Sequence, residues 1–251
     1  MLNHFSIITF YKYKKWKTMK LIEDNITQTL DEMYLVETLN LDNKTILELG
    51  CGNASMTKMI AQNGTNRKVI ACEVDEVQHE KNLSLNIPNI EFKLNGAQDI
   101  KLEDESVDMI FMFKSFHHIP YDLMKEALKE IKRVLKPNAL VYISEPLFKG
   151  GQNELIAMFH DEEQVRIDAF THIKEAVETE EFKLFREIFF QTEVTYKDFE
   201  DFKTKQMNLS YNDNNITPQL EEKIKNKFNS YNNGKETSFM KPFRVDILQK
   251  I

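Results

Sequence analysis

The run Ile46-Leu47-Glu48-Leu49-Gly50-Cys51-Gly52-Asn53-Ala54-Ser55 decides how the rest of the chain is read. A short apolar stretch, Thr45–Leu49, stops at two glycines one residue apart, and helical periodicity starts at Ser55 and continues to Gln62. A strand that turns through glycine into a helix opens a βαβ unit. The glycines let the backbone approach a ligand closely at the carboxyl edge of a parallel sheet. A nicotinamide-type turn would need glycine at Ser55, and a phosphate loop would need a Gly-Lys-Ser/Thr run; both are missing. Instead an acid, Glu48, stands two residues before Gly50 and suits a ligand that carries an ammonium group better than one that carries a pyrophosphate.

Outward from this turn, Lys68–Val74, Ile90–Leu94, Val107–Phe113 and Ala139–Glu145 read as further strands, with helical periodicity at Glu76–Leu85 and Tyr121–Leu135. Strands that alternate with helices predict a parallel sheet covered on both faces. Lys136-Pro137-Asn138 reads as the turn between the last of these helices and its strand, because proline disfavours helix in the residue before it. The second strand ends Ala71-Cys72-Glu73-Val74-Asp75, about where a ribose-binding carboxylate is expected. Asp75 and Gln78 have the spacing of a capping box, which leaves Glu73 for the ribose.

These residues resemble the class I S-adenosylmethionine (SAM) methyltransferases, strongly over about Thr45 to Pro146. Glu48-x-Gly50-x-Gly52 matches the family's first motif, Glu73 its second-strand acid, and Asn95-Gly96-Ala97-Gln98-Asp99-Ile100 its adenine loop. Glu105-Ser106-Val107-Asp108 matches the approach to strand four, Phe116-His117-His118-Ile119 the segment after it, and Arg133-Val134-Leu135-Lys136-Pro137-Asn138 the run before strand five. The resemblance implies an α/β fold with a Rossmann-like seven-stranded sheet, helices on both faces, the last strand antiparallel, and a helical lid inserted after strand five. It implies S-adenosyl-L-methionine as cofactor and a site built from Glu48, Gly50, Cys51, Gly52, Asn53, Glu73, Val74, Gly96, Ala97, Gln98 and Lys114. Two positions depart from the family: Ala54 replaces its third glycine, and Gly96 stands where an acid often reads the adenine amino group, leaving base recognition to backbone groups of Ala97 and Gln98.

Methyl transfer from a sulfonium needs alignment more than activation. His117 and His118 follow strand four, where the family places residues near the methyl group; they read as candidate catalytic bases or as caps of the next turn. Tyr121 and Glu145 lie near the cleft by topology. Phe159-His160-Asp161-Glu162-Glu163 offers ligand types, but on a helix consecutive side chains fan over different faces, so no metal is expected.

Three regions are expected: 1–40, an N-terminal extension and helix; 41–146, the SAM-binding core; and 147–251, a helical lid and C-terminal strands that complete the same domain. The first eighteen residues read as an extension from an early start codon or as a cap on the cofactor site, and Met19 to Leu39 looks helical. Lys149-Gly150-Gly151 hinges a lid, Leu147–Arg186, in which Phe159, Phe170, Phe182, Phe185, Phe189 and Phe190 read as lid core. Glu187–Tyr196 and Ser238–Leu248 read as the last strands. Between them lie helical stretches near Lys197–Met207 and Pro218–Ser230 and a polar loop, Tyr211–Asn215.

With 251 residues, 33 basic and 40 acidic, the chain has a formal net charge of −7 and 41% hydrophobic residues, a globular composition. No stretch approaches the ~20 apolar residues that span a bilayer, and the acidic balance lacks the basic footprint of a nucleic-acid binder. Phe113-Lys114-Ser115-Phe116 stands where amino-methylating nucleic-acid enzymes carry an Asn-Pro-Pro-Tyr type motif. Two cysteines, Cys51 and Cys72, without a CxxC pattern fit a reducing, cytoplasmic setting. The expected activity is methyl transfer to a small molecule, apolar or aromatic, with no nucleic-acid or membrane partner. A protein acceptor and a catalytically silent SAM-binding subunit are the alternatives.

Overall fold

The computed structural model describes residues 18–208, 216–232, 234 and 236–251. Residues 1–17 of the N-terminal extension and the Tyr211–Asn215 loop lie outside the described residues.

Seven strands form one sheet: β1 (Thr45–Leu49), β2 (Lys68–Glu73), β3 (Ile90–Leu94), β4 (Val107–Phe113), β5 (Leu135–Pro146), β6 (Phe182–Tyr196) and β7 (Thr237–Lys250). Their order is β3-β2-β1-β4-β5-β7-β6. The first five pair in parallel, and β7 runs antiparallel to both β5 and β6. The order reverses between β1 and β4, whose carboxyl ends therefore open the crevice in which open parallel sheets bind ligands.

Among the described residues eight α-helices accompany the strands: α1 (Glu32–Glu37), α2 (Ser55–Gln62), α3 (Glu76–Leu83), α4 (Met124–Val134), α5 (Gly151–Ile156), α6 (Glu163–Glu178), α7 (Phe199–Phe202) and α8 (Pro218–Tyr231). Alternation along the strands sorts the core into two faces. Ile46, Met109 and Phe111 pack with α1 and α2 on one side, whereas Leu47, Ile110 and Met112 pack with α4 and α6 on the other. A third cluster joins α5, α7 and α8 to the far ends of β6 and β7 through Leu155, Tyr196, Phe202, Phe228 and Phe239.

Four expectations need correction. Met19 to Leu39 is not one helix: α1 is six residues long, capped by the Asp31 side chain, and the chain before it is extended. The open edge of β6 decides this, because its backbone groups need partners: Leu30 N–H donates to Gln191 O, and Gln191 N–H to Gln28 O. Lys136-Pro137-Asn138 is not a separate turn but a bulge within β5, with Asn138 at φ +62°. The helical insertion after strand five is present, yet its two helices pack on different cores. α5 belongs to the outer aromatic cluster, while α6 lies on the sheet with α4. The phenylalanines divide accordingly: Phe170 and Phe182 join one sheet face, Phe190 the other, Phe159 borders the outer cluster, and Phe185 is exposed. β6 also begins five residues before Glu187, at Phe182. Among the described residues no helix is long and apolar enough to cross a membrane.

Candidate active site

The chain leaves β1 at Leu49 and turns through Gly50 and Gly52, both with positive φ, into α2. Gly50 needs its missing side chain twice over. Its φ is +74°, and a Cβ there would stand 2.6 Å from Cβ of Ser115, whose hydroxyl donates to Leu49 O. Gly50 N–H and Cys51 N–H both donate to Cys72 O at 2.9 Å, tying the turn to the end of β2. Gly52 N–H donates to Glu73 Oε2 at 2.7 Å, and Gly52 O accepts from Asn82 Nδ2 of α3 at 2.7 Å. The other Glu73 oxygen accepts from Val74 N–H and Asp75 N–H. The second-strand acid thus holds the glycine turn in place, and one lone pair of Oε2 is left for a ligand hydroxyl. Asp75 caps α3 by accepting from Gln78 N–H at 3.0 Å, but Gln78 turns its amide to Asn82, so the reciprocal half of the box is absent.

Asn53 Oδ1 accepts from Ser55 N–H and so closes the turn onto α2. Ala54, in place of a third glycine, sits fully buried at φ +59°. That conformation costs a residue with a Cβ roughly 1–2 kcal/mol. Glu48 is buried at the floor, with Thr57 Oγ1 donating to it at 2.6 Å. Burial pushes its carboxyl up to about 8, against the opposing pull of Thr57 and the Lys114 charge. Lys114, itself at φ +57°, reaches Glu32 Oε2 at 3.7 Å and lies 5.5 Å from the ring centre of Phe243. The thiols are buried and inert: desolvation raises Cys51 far above the usual thiol range and Cys72 to about 12.

The expected adenine loop follows β3. Asn95 N–H donates to Glu73 O, Asp99 N–H to Gly96 O, and Ala97 is buried. A Cβ on Gly96 would strike the Gln98 side chain, 2.4 Å from its Oε1. The structure therefore gathers Glu48, Gly50, Cys51, Gly52, Asn53, Glu73, Gly96, Ala97 and Gln98 along one sheet edge. Val74 is exposed.

A second constellation follows β4, where Phe116–His118 makes a single 3-10 turn. His117 is buried, and its Nδ1 is hydrogen-bonded to Glu145 Oε2. Glu145 Oε1 accepts from the N–H groups of Phe116 and His117. Burial opposes charge on His117, but the Glu145 and Glu162 carboxylates together outweigh it and raise the ring to about 9. The His118 ring lies tilted beside it, 4.1 Å between ring centres, and is held below its usual value by partial desolvation and by the neighbouring His117. Tyr121 does not join them: it is exposed and edges onto His172 of α6.

Glu162 was offered by the sequence as a ligand type and set aside on the expectation of a helix, which the structure corrects. The stretch His160–Glu162 is the loop between α5 and α6, not helix, so its side chains do not fan apart. Glu162 Oε1 lies 3.0 Å from His160 Nε2 and 3.7 Å from His117 Nε2, and Arg166 takes its other oxygen. Nothing in the local pattern could bring this loop to strand four. The braces Thr57, Asn82 and Ser115 were equally silent, since each acts on a residue distant in sequence or through a hydroxyl.

Residues 46–138 match a family model described as a methyltransferase domain. An uncharacterized methyltransferase, C25B8.09 of Schizosaccharomyces pombe, is 37% identical over 113 residues, which cover 45% of this chain and 41% of that protein. The chain thus spans about half the length, or less, of the curated relatives it matches. Among solved structures, the YcgJ protein of Bacillus subtilis superposes with a TM-score of 0.63 at 14% identity, covering 87% of this chain and 97% of that one. A SAM-dependent methyltransferase from Aquifex aeolicus gives a TM-score of 0.50 at 22% identity, over 63% of this chain and 82% of that one. The sheet order, the glycine turn braced by the second-strand acid and the matched segment agree: residues 46–138 match a methyltransferase domain, and the chain has the seven-stranded fold of the SAM-dependent methyltransferases.

Proposed function

We propose that the protein binds S-adenosyl-L-methionine along the ends of β1, β2 and β3 and transfers its methyl group to a small-molecule acceptor. The observation that carries this reading is the turn at Gly50 and Gly52 bonded to Glu73. The residues fit such a ligand. A Cβ added to Gly52 meets nothing within 4 Å, so the space above the turn is open. Glu73 keeps a lone pair for a ribose hydroxyl, and the buried Glu48 carboxyl gains its natural counter-charge from an ammonium group. In this reading Glu48, Gly50, Cys51, Gly52 and Asn53 hold the amino-acid end, Glu73 and Val74 the ribose, and Gly96, Ala97 and Gln98 the base, with Lys114 beside them.

Bound SAM supplies a methyl group already activated by its sulfonium, so the chain's own task is to hold and orient the two reactants and keep water out. His117 is a candidate for the acceptor side: Glu145 fixes its Nδ1, and its Nε2 faces Glu162 of the α5–α6 loop. A small acceptor is supported by the net charge of −7 and by the aromatic cluster of α5, α7 and α8 beyond the ends of β6 and β7. Such a setting favours an apolar or aromatic molecule over a polyanion.

Calorimetry with S-adenosylhomocysteine and with NAD tests the cofactor half; saturable binding of NAD with no response to S-adenosylhomocysteine would sink it. Incubation with methyl-labelled SAM and cell extract tests the acceptor half. Label entering a low-mass product supports the reading, label entering protein shifts the acceptor class, and label remaining in SAM points to a silent binding subunit.

A further inference from the structure

We propose that His117, His118 and Glu162 form a binding site for a divalent transition-metal ion of the zinc class. Each offers one ligand atom, and the three atoms lie within 4.8 Å of one another. The donors come from two separate parts of the chain, the 3-10 turn after β4 and the α5–α6 loop, so the cluster is not an accident of neighbouring positions on one element.

The spacing favours an ion over a shared proton. His117 Nε2 and Glu162 Oε1 are 3.7 Å apart, longer than the 2.7–3.2 Å of a good hydrogen bond. Two ligands held about 2.0–2.1 Å from a tetrahedral ion stand roughly 3.3 Å apart, so a small side-chain adjustment closes the site.

The surroundings also have the form of a metal site. Metal-binding imidazoles commonly donate their second nitrogen to a carboxylate, which fixes ring orientation. Here Glu145 takes His117 Nδ1 and is itself anchored by two backbone N–H groups. Glu162 is oriented in the same manner: Arg166 occupies Oε2, is held in turn by Leu147 O and Asn153, and leaves Oε1 pointing to the histidines. His160 Nε2 is hydrogen-bonded to that same oxygen at 3.0 Å and helps to hold the carboxylate in place.

Two imidazoles with one carboxylate suit Zn2+ or Fe2+, whereas Mg2+ and Ca2+ take oxygen ligands. At the carboxyl end of β4, such an ion would hold an oxygen or nitrogen of the acceptor. That consequence rests on the proposed methyl transfer; the metal site itself does not.

The test uses the full chain without an affinity tag, stripped with a chelator and titrated with Zn2+ against a chromophoric zinc indicator. One Zn2+ per chain at sub-micromolar affinity is expected. His118→Ala and Glu162→Gln should each weaken it by roughly 100-fold or more, and Glu145→Gln by about 10–100-fold. His118 is exposed in its turn, so its variant is expected to fold whatever becomes of Glu162→Gln. His172→Ala, on α6 and outside the cluster, serves as control and should bind as the parent does. Substoichiometric Zn2+ on the parent chain would overturn the proposal, as would retention of Zn2+ by His118→Ala or equal loss in His172→Ala. S-adenosylhomocysteine affinity, measured in the same variants, should stay within about threefold and reads the cofactor site separately.

Discussion

The glycine-turn edge of the sheet and its β6–β7 end are stabilised by opposite means. Around Gly50 and Gly52 the partners are backbone N–H groups, one carboxylate and one amide, and most span fewer than 32 residues, as in Gly52 with Glu73 and Gly52 with Asn82. At the far end, Tyr196 packs edge-on to Phe202, Phe228 and Phe239 with ring centres 5.2, 6.3 and 6.1 Å away, and its hydroxyl accepts from Gln152 Nε2. A directional network fixes geometry to tenths of an ångström, as a ligand-binding turn requires. An aromatic cluster contributes bulk stability and tolerates rearrangement. The contrast makes a claim: damage at one end should not register at the other in the same measurement.

The largest effect is expected from Phe228→Ala, which removes a ring 1% exposed at the centre of the outer cluster. Loss of about 3–5 kcal/mol in denaturant unfolding is expected, with S-adenosylhomocysteine affinity within twofold of the parent. Lost affinity here would mean that the two ends form one cooperative unit.

Gly50→Ala is its mirror. Left-handed strain and the collision with Ser115 together amount to about 2–4 kcal/mol, so calorimetry should show affinity for S-adenosylhomocysteine falling roughly 30-fold or more. Adding Ser115→Gly to that variant should restore part of the loss by removing the colliding Cβ.

Next comes Glu73→Ala. Because this carboxylate holds Gly52, the variant should lose about 1.5–3 kcal/mol of stability together with about tenfold or more in affinity. A pure ligand contact would leave stability untouched. Asp75→Ala should cost about 1 kcal/mol as a lost helix cap, with little change in binding.

A separate effect is a pH dependence. Glu48 has its carboxyl raised from 4.5 to about 8 in the folded chain, so the folded state binds the extra proton between those values. Its contribution to stability is therefore present in full below pH 4.5 and declines as pH rises to about 8. Glu48→Gln should gain on the parent across that window in thermal unfolding. If an ammonium group binds the ionised form, S-adenosylhomocysteine binding below pH 8 should release a proton, seen as a buffer-dependent enthalpy that vanishes in Glu48→Gln.

Much of the sheet was legible because the relevant forces act locally. β1, β3, β4 and α2 lie where the apolar runs and the helical period put them, since alternation reports directly which face of an element is buried. The turn at Gly50 and the acid at Glu73 were legible for a related reason: a close backbone approach admits glycine, and a strand end can deliver a carboxylate to it. The insertion was misread because apolar content says that Phe159, Phe170 and Phe190 are buried without saying in which core.

By itself, then, the sequence determined the order of strands and helices, the glycine turn and the carboxylates at its edge, all consequences of backbone geometry and one-sided burial over a few residues. Tertiary structure alone decided three things. Residues 28–30 run along β6 in place of a helix because an open sheet edge offers hydrogen bonds that a weakly patterned segment takes up. α6 joined the sheet while α5 joined the aromatic cluster, because packing volume, not polarity, selects between two apolar surfaces. Glu162 met His117 because charged groups removed from water must find partners wherever the fold brings them, across a separation that no local pattern encodes.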